Sequence, residues 1–235
     1  MYVQTQRRFV WPTPGEVFYP ESDGKPMAES TLQYRWIVLL IENIRKLFAH
    51  DPNVFVAGDL LWYPVEGRVD VSLAPDCMVT FGRPQGDRSS YKQWQEGGMP
   101  PQVVFEVLSH SNTPVEMMDK LRAYERYGVE EVYYYDPESH DLKAWLRQGD
   151  QLAPVSQVEG FASPRLKIRF WPGVGDMKIE RPDGTAFESF IEVSERAQRE
   201  RERAEQAQVH SQEQRQRSDR LAEKLRGLGM DPDAI

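Results

Sequence analysis

Two carboxylates and one lysine stand where hydrolytic chemistry could be built: Asp76, Glu106 and Lys120. Glu106 interrupts residues 103–108 (VVFEVL), an otherwise apolar, largely β-branched run that reads as a strand buried on both faces. A carboxylate inside such a strand is unfavourable unless a cation or a bound metal ion compensates it. Asp76 lies 30 residues earlier, beside Pro75, within a second apolar stretch, residues 69–81 (VDVSLAPDCMVTF). A proline inside a strand marks an edge, a bulge or a kink, and bulges re-aim side chains beside active sites. If these stretches are neighbouring strands of one sheet, the two carboxylates converge. Paired hard oxygen ligands suit Mg²⁺ or Mn²⁺, and a metal so held stabilises phosphoryl charge and acidifies bound water. A structural reading stands beside this one, in which Asp76 caps a kink and Glu106 pairs with a buried Arg or Lys.

The elements that must position these residues follow from periodicity. Residues 115–127 read as a helix with Met117, Leu121 and Tyr124 on one face, Met118 beside them, and Gly128 as its stop. Lys120 lies on that helix. Folded back over the end of the Glu106 strand, its ammonium would stabilise developing charge; as an ordinary helix lysine it would pair with Glu116 one turn earlier. Residues 131–136 form the return strand, so strand, helix and strand predict a right-handed parallel unit. Upstream, Ser30 or Thr31 caps a helix reaching about residue 49, with Ile37, Leu40, Ile41, Ile44, Leu47 and Phe48 as its buried stripe. Residues 54–64 read as a strand, and residues 82–101 as a long loop of the lid or binding kind. Short strands are expected at 141–146, 152–155, 166–170 and 177–179. The fold class is α/β, with a central mixed sheet flanked by helices.

Composition sets the bounds. The chain has 235 residues and a formal net charge of −8, so no global basic balance marks a nucleic-acid binder. A single cysteine, Cys77, excludes an intrachain disulfide and points to a reducing compartment. No apolar run reaches the roughly 20 residues of a membrane span, and no signal-peptide core is evident. The expectation is a cytoplasmic protein with no membrane partner. Three segments are expected: an arm over residues 1–26 punctuated by prolines, a core domain over 27–190, and a charged helix over 191–235. In the last, Ala197, Ala204, Ser211, Ser218 and Leu225 share one heptad register and Ala207, Leu221 and Leu228 the other. That seam is small and polar, a weak coiled coil that would pair two copies into a homodimer, or else a solvated single helix.

Pro75-Asp76, residues 105–109 (FEVLS), Lys120 with Tyr124, residues 128–133 (GVEEVY) and Asp136-Pro137 together resemble the Uma2 family. That family is placed among the PD-(D/E)XK, restriction-endonuclease-like nucleases. The resemblance covers roughly residues 25–180, including residues 27–30 (MAES) and 51–54 (DPNV). It implies a restriction-endonuclease-like core and a Mg²⁺- or Mn²⁺-dependent endonuclease acting on nucleic acid, with DNA the expected substrate. It further implies Asp76 and Glu106 as metal ligands, the Val107 carbonyl as a third, and Lys120 as the assisting cation. Leu108 stands where the parent motif carries a lysine, and Lys120 on the following helix takes that lysine's place. Gln33 stands where relatives often carry histidine, and Glu29 is a candidate outer ligand. Two other readings remain: a catalytically degenerate binding or oligomerisation module on the same scaffold, and an unrelated metal-dependent hydrolase of small phosphoesters.

Overall fold

The computed structural model describes residues 17–24, 26–173 and 175–227, the side chain of Leu225 excepted. The chain divides into two compact units, residues 1–187 and 188–235.

In the first unit, helix α1 (Thr31–Leu47) is followed by β1 (Val54–Ala57), β2 (Trp62–Tyr63), β3 (Cys77–Phe81) and β4 (Tyr91–Lys92). After a 3-10 turn (Gln93–Glu96) come β5 (Val103–Val107), α2 (Pro114–Tyr127), β6 (Glu131–Asp136), β7 (Asp141–Gln148), β8 (Gln151–Pro154), β9 (Arg169–Gly173) and β10 (Gly175–Glu180). Six strands make one mixed sheet in the order β1-β3-β5-β6-β7-β8. Within it β5 and β6 run parallel, joined through α2, and the other neighbours are antiparallel.

The period-two alternation of strand side chains sorts the core into two layers. Val103, Phe105 and Val107 join Trp36, Ile37, Leu40 and Ile44 of α1 on one face. Met78 and Val104 join Met117, Leu121 and Tyr124 of α2 on the other. Both helices begin at side-chain caps. Ser30 Oγ accepts from the Gln33 amide at 3.0 Å, and Thr113 Oγ1 accepts from the Glu116 amide at 3.2 Å, with Pro114 opening α2. Gly128, at φ +95°, closes α2 in the left-handed conformation that a side chain would strain.

Two expected strands are shorter than their apolar runs. The stretch 69–81 forms a ladder only over Cys77–Phe81. Pro75 has no N–H to donate, and Leu73 makes only an isolated bridge to Trp62. The stretch 54–64 breaks at Gly58-Asp59, where Asp59 has φ +49° and its N–H donates to the Pro75 carbonyl at 3.1 Å. A Cβ on Gly58 would lie 2.1 Å from Ile41 Cδ1 and 2.9 Å from the Asp76 carbonyl oxygen, so a glycine is required there. The 82–101 loop carries β4 and the 3-10 turn, and β4 pairs in parallel with β2.

The second unit holds helix α3 (Phe190–Gly227), which starts five residues before the Glu-, Arg- and Gln-rich run that opens at Glu195 and by propensity predicts a helix over 195–226. Ser189 and Glu192 explain the early start: the Ser189 amide donates to Glu192 Oε2 at 2.7 Å, and the Glu192 amide to Ser189 Oγ at 3.3 Å. This reciprocal pair is a capping box. Ala204, Ala207, Val209 and Leu221 are exposed on this helix. The Leu225 side chain and Leu228, two further heptad positions, lie outside the described residues.

Candidate active site

The site forms where β3 begins and β5 ends. Cys77 pairs with Phe105 in the antiparallel register, so one step further along Asp76 faces Glu106. Met78 and Val104 lie on the α2 face; Asp76 and Glu106, each two residues away, share it by the same alternation. Cross-strand neighbours of this kind have Cβ atoms about 4.5–5.5 Å apart. Asp76 Oδ2 accepts from the Val107 amide at 2.6 Å, which ties the loop before β3 to the end of β5.

Glu106 is 3% exposed, and both its oxygens are occupied. Lys120 Nζ donates to Oε2 at 2.8 Å, and the Tyr124 hydroxyl donates to Oε1. The two donors come from successive turns of α2, four residues apart, so one helix face presents both to one carboxylate. Lys120 therefore pairs with Glu106 on the sheet face that α2 covers, not with Glu116 on its own helix. Burial pulls the Lys120 pKa down, but the carboxylate of Glu106, its hydrogen bond and Asp76 more than offset this and leave it raised. The Asp76 carboxyl is pushed well above the ordinary range, first by desolvation and next by the facing Glu106. Burial, and then Glu106, raise Tyr124 far above the usual phenol value, so it stays neutral and donating.

The Val107 carbonyl accepts from Gln33 Nε2 at 2.8 Å. Gln33 Oε1 accepts from the Glu29 amide at 2.8 Å, which fixes the amide's orientation. Gln33 thus ties the first turn of α1 to the end of β5. Glu29 reaches the same end: its Oε2 accepts from Ser109 Oγ at 3.0 Å.

A cleft of about 930 Å³ opens over these groups. Its lining includes the carboxylates of Asp23, Glu29, Asp59, Asp76, Glu116 and Asp119, and one cation among the described residues, Lys120. Burial raises the Asp59 carboxyl, with Asp23 adding to the effect and Lys120 opposing it. The N-terminal segment that leads to this wall is anchored through Tyr19, whose ring packs edge-on against Tyr63 at 5.0 Å and lies tilted against Trp94 at 5.1 Å.

The fold thus brings Asp76, Glu106, Val107 and Lys120 together, with Glu29 and Gln33 at the rim. Two neighbours were given no role in the sequence. Tyr124 stands beside Lys120 in the family motif and otherwise reads as one more apolar position on α2, with no bond to Glu106 expected. Asp59 reads as a polar break in a strand, and its approach to the Asp76 loop depends on Gly58.

Oxygen donors of this kind fit a hard divalent cation. Among the described residues no cluster of three or more His, Cys, Asp or Glu side chains is arranged to hold a metal ion. Asp76, Glu106 and the Val107 carbonyl would supply three oxygens, and Mg²⁺ is commonly bound by few protein ligands with several waters retained. Among the described residues no helix is long and apolar enough to cross a membrane.

A search of curated proteins finds no match to the chain. The chain is similar in structure to a crystal structure from Anabaena variabilis titled as a "putative nuclease belonging to DUF820", with a TM-score of 0.44 and 14% identity over 60% of this chain and 74% of that one. The model of the Uma2 family, described as "Putative restriction endonuclease", matches residues 22–170. That match takes in α1, the eight strands β1 to β8, helix α2 and every residue of the site, and the chain belongs to the Uma2 family.

Proposed function

We propose that this chain is a divalent-metal-dependent endonuclease that hydrolyses phosphodiester bonds, with DNA as its substrate. Asp76 and Glu106 would hold Mg²⁺ or Mn²⁺, with the Val107 carbonyl as a third oxygen. The observation that carries this reading is the meeting of Asp76 and Glu106 on one sheet face, with Lys120 bonded to Glu106 at the cleft wall.

Charge supports the metal dependence. A cleft lined by six carboxylates and one lysine among the described residues repels a polyanion and concentrates divalent cations. A bound cation would supply charge stabilisation at a phosphoryl oxygen and a more acidic water. The chain's own residues do the positioning. The Val107 amide orients Asp76, Tyr124 orients Glu106, and Gln33 fixes the Val107 carbonyl. Lys120 supplies the only positive side chain among the described residues lining the cleft, close enough to favour a developing phosphorane charge.

The test is a Mn²⁺ titration by calorimetry, followed by incubation with plasmid, single-stranded DNA and RNA, each with Mg²⁺, Mn²⁺ or EDTA. The expected result is saturable Mn²⁺ binding and DNA cleavage abolished by EDTA and by Asp76→Asn. Mn²⁺ binding without cleavage of any nucleic acid would replace this reading with the binding module. Cleavage that survives EDTA would remove the metal from it.

A further inference from the structure

Glu106 carries two oxygens, and the structure gives them unequal partners. Oε1 is held by Tyr124, which is fully buried. The Tyr124 ring stacks on Trp62 with centroids 6.4 Å apart and planes at 5°, and Trp62 is itself fully buried. Trp62 Nε1 donates in turn to Gln93 Oε1 at 3.0 Å. Close packing on a buried ring holds the phenol in place, and with it the bond to Oε1.

Oε2 is held by Lys120, whose side chain is 23% exposed against 3% for Glu106. Lys120 lines the cleft and Glu106 does not, so the ammonium stands between the carboxylate and the open space. The lysine's four-carbon stem is flexible and its head carries no fixed geometry. Of the two donors on Glu106, only Lys120 can leave.

Asp76 repeats the pattern. The Val107 amide holds its Oδ2, and Oδ1 remains for a cation. Each carboxylate therefore has one oxygen pinned by a rigid neutral donor.

We propose that Tyr124 is a positioning residue that restricts Glu106 to one-oxygen ligation through Oε2, and that a divalent cation and the Lys120 ammonium are alternative occupants of that oxygen. This rests on the metal-dependent reading above and adds its order of events. Lys120 compensates the buried carboxylate while the site holds no metal, and it turns into the cleft only when a cation takes Oε2. The lysine charge thus reaches substrate only in the loaded site. No covalent bond is made or broken; the Lys120–Oε2 hydrogen bond is exchanged for a cation on the same oxygen.

The test uses the full chain with Mn²⁺ alone. A crystal structure of the wild-type Mn²⁺ complex should show Glu106 Oε2 on the metal, Tyr124 still on Oε1, and Lys120 beyond hydrogen-bond reach of Glu106. Calorimetry on Lys120→Gln, which keeps a donor for the buried carboxylate and removes the charge, should show Mn²⁺ binding tightened about tenfold, because the competing cation is gone. Tyr124→Phe should bring both Glu106 oxygens onto Mn²⁺ in the same crystals. Two-oxygen ligation in the wild type, a Lys120–Glu106 bond that persists in the complex, or Mn²⁺ affinity in Lys120→Gln no higher than in the wild type would each overturn the proposal while leaving the metal site standing. A wild-type protein that binds no Mn²⁺ would overturn the metal-dependent reading itself.

Discussion

Glu106 and Glu131 are two buried glutamates on adjacent parallel strands, 3% and 2% exposed, and they lead different lives. Glu131 begins β6 opposite Val103, whereas Glu106 lies toward the far end of β5 opposite Tyr134. Glu131 is closed in by neutral donors: the Tyr133 hydroxyl at 2.8 Å, the Ser163 hydroxyl and the Arg165 amide. The Arg165 guanidinium does not compensate it directly, since its nitrogens go to Glu130. Glu106 instead has one neutral donor and one cation on a flexible stem, a second carboxylate facing it, and a cleft beyond. The contrast teaches that a buried carboxylate is not by itself a site. Glu131 staples residues 163–165 to the sheet, and every donor on it is held by the chain nearby. Glu106 is compensated by a group able to leave.

Four experiments break or sharpen this contrast. The largest effect is expected from Glu106→Gln, which should lower Mn²⁺-dependent plasmid cleavage by about 10²-fold or more, the scale of losing one electrostatic contact to a transition state. Glu131→Gln should leave initial rates within about threefold of wild type, as expected of a change remote from the chemistry. Equal losses in both variants would erase the distinction.

Next in size is Gly58→Ala. Its Cβ meets both Ile41 and the Asp76 backbone, and overpacking of this kind costs about 1–3 kcal/mol in urea denaturation. Because the strain falls on the Asp76 loop, Mn²⁺ affinity should drop as well. Unchanged affinity would show that Asp76 is placed independently of Gly58.

Ser163→Ala should cost about 2 kcal/mol by the same denaturation measurement. It strips a donor from a buried carboxylate and an acceptor from the Leu166 amide. Cleavage should be unaffected, and a loss of activity would mean that the two ends of the sheet are coupled.

The smallest effect is a pH dependence. Burial raises the Glu131 carboxyl above its ordinary 4.5, even though hydrogen bonds from Ser163, Tyr133 and the Arg165 amide pull the other way. The folded state then keeps a proton that the unfolded chain has lost. The stability this contributes is complete below the ordinary value and disappears as pH rises through the folded-state value. Urea midpoints of Glu131→Gln relative to wild type, taken from pH 4 to 8, should therefore shift in the variant's favour as pH rises. A flat difference would show that Glu131 ionises as it does in the unfolded chain.

Much of the frame was legible in one dimension. The stripe of Ile37, Leu40, Ile41 and Ile44 announced α1, and Gly128 its counterpart's end, because periodicity and caps are local properties. Asp76 and Glu106 stood out because a carboxylate inside a β-branched run needs an explanation. Strand extents were harder. The 69–81 run is apolar enough for a full strand, yet ladder pairing also needs partner hydrogen bonds, and Pro75 withholds one.

The sequence by itself determined the candidate carboxylates, the α/β order of elements, the helix that carries Lys120 and the charged character of the last segment. Each follows from residue type and near-neighbour spacing. Only the tertiary structure decided what compensates each carboxylate. Gln33 reaches the Val107 carbonyl across 74 positions of chain, and Ser163 reaches Glu131 across 32. Tyr124 and Lys120 are local to α2, but which of them pins Glu106 and which can leave depends on Trp62 packing behind the ring and on the cleft opening beside the ammonium. Hydrogen-bond partnership between distant segments is fixed by how the layers stack, and no pattern along the chain encodes it.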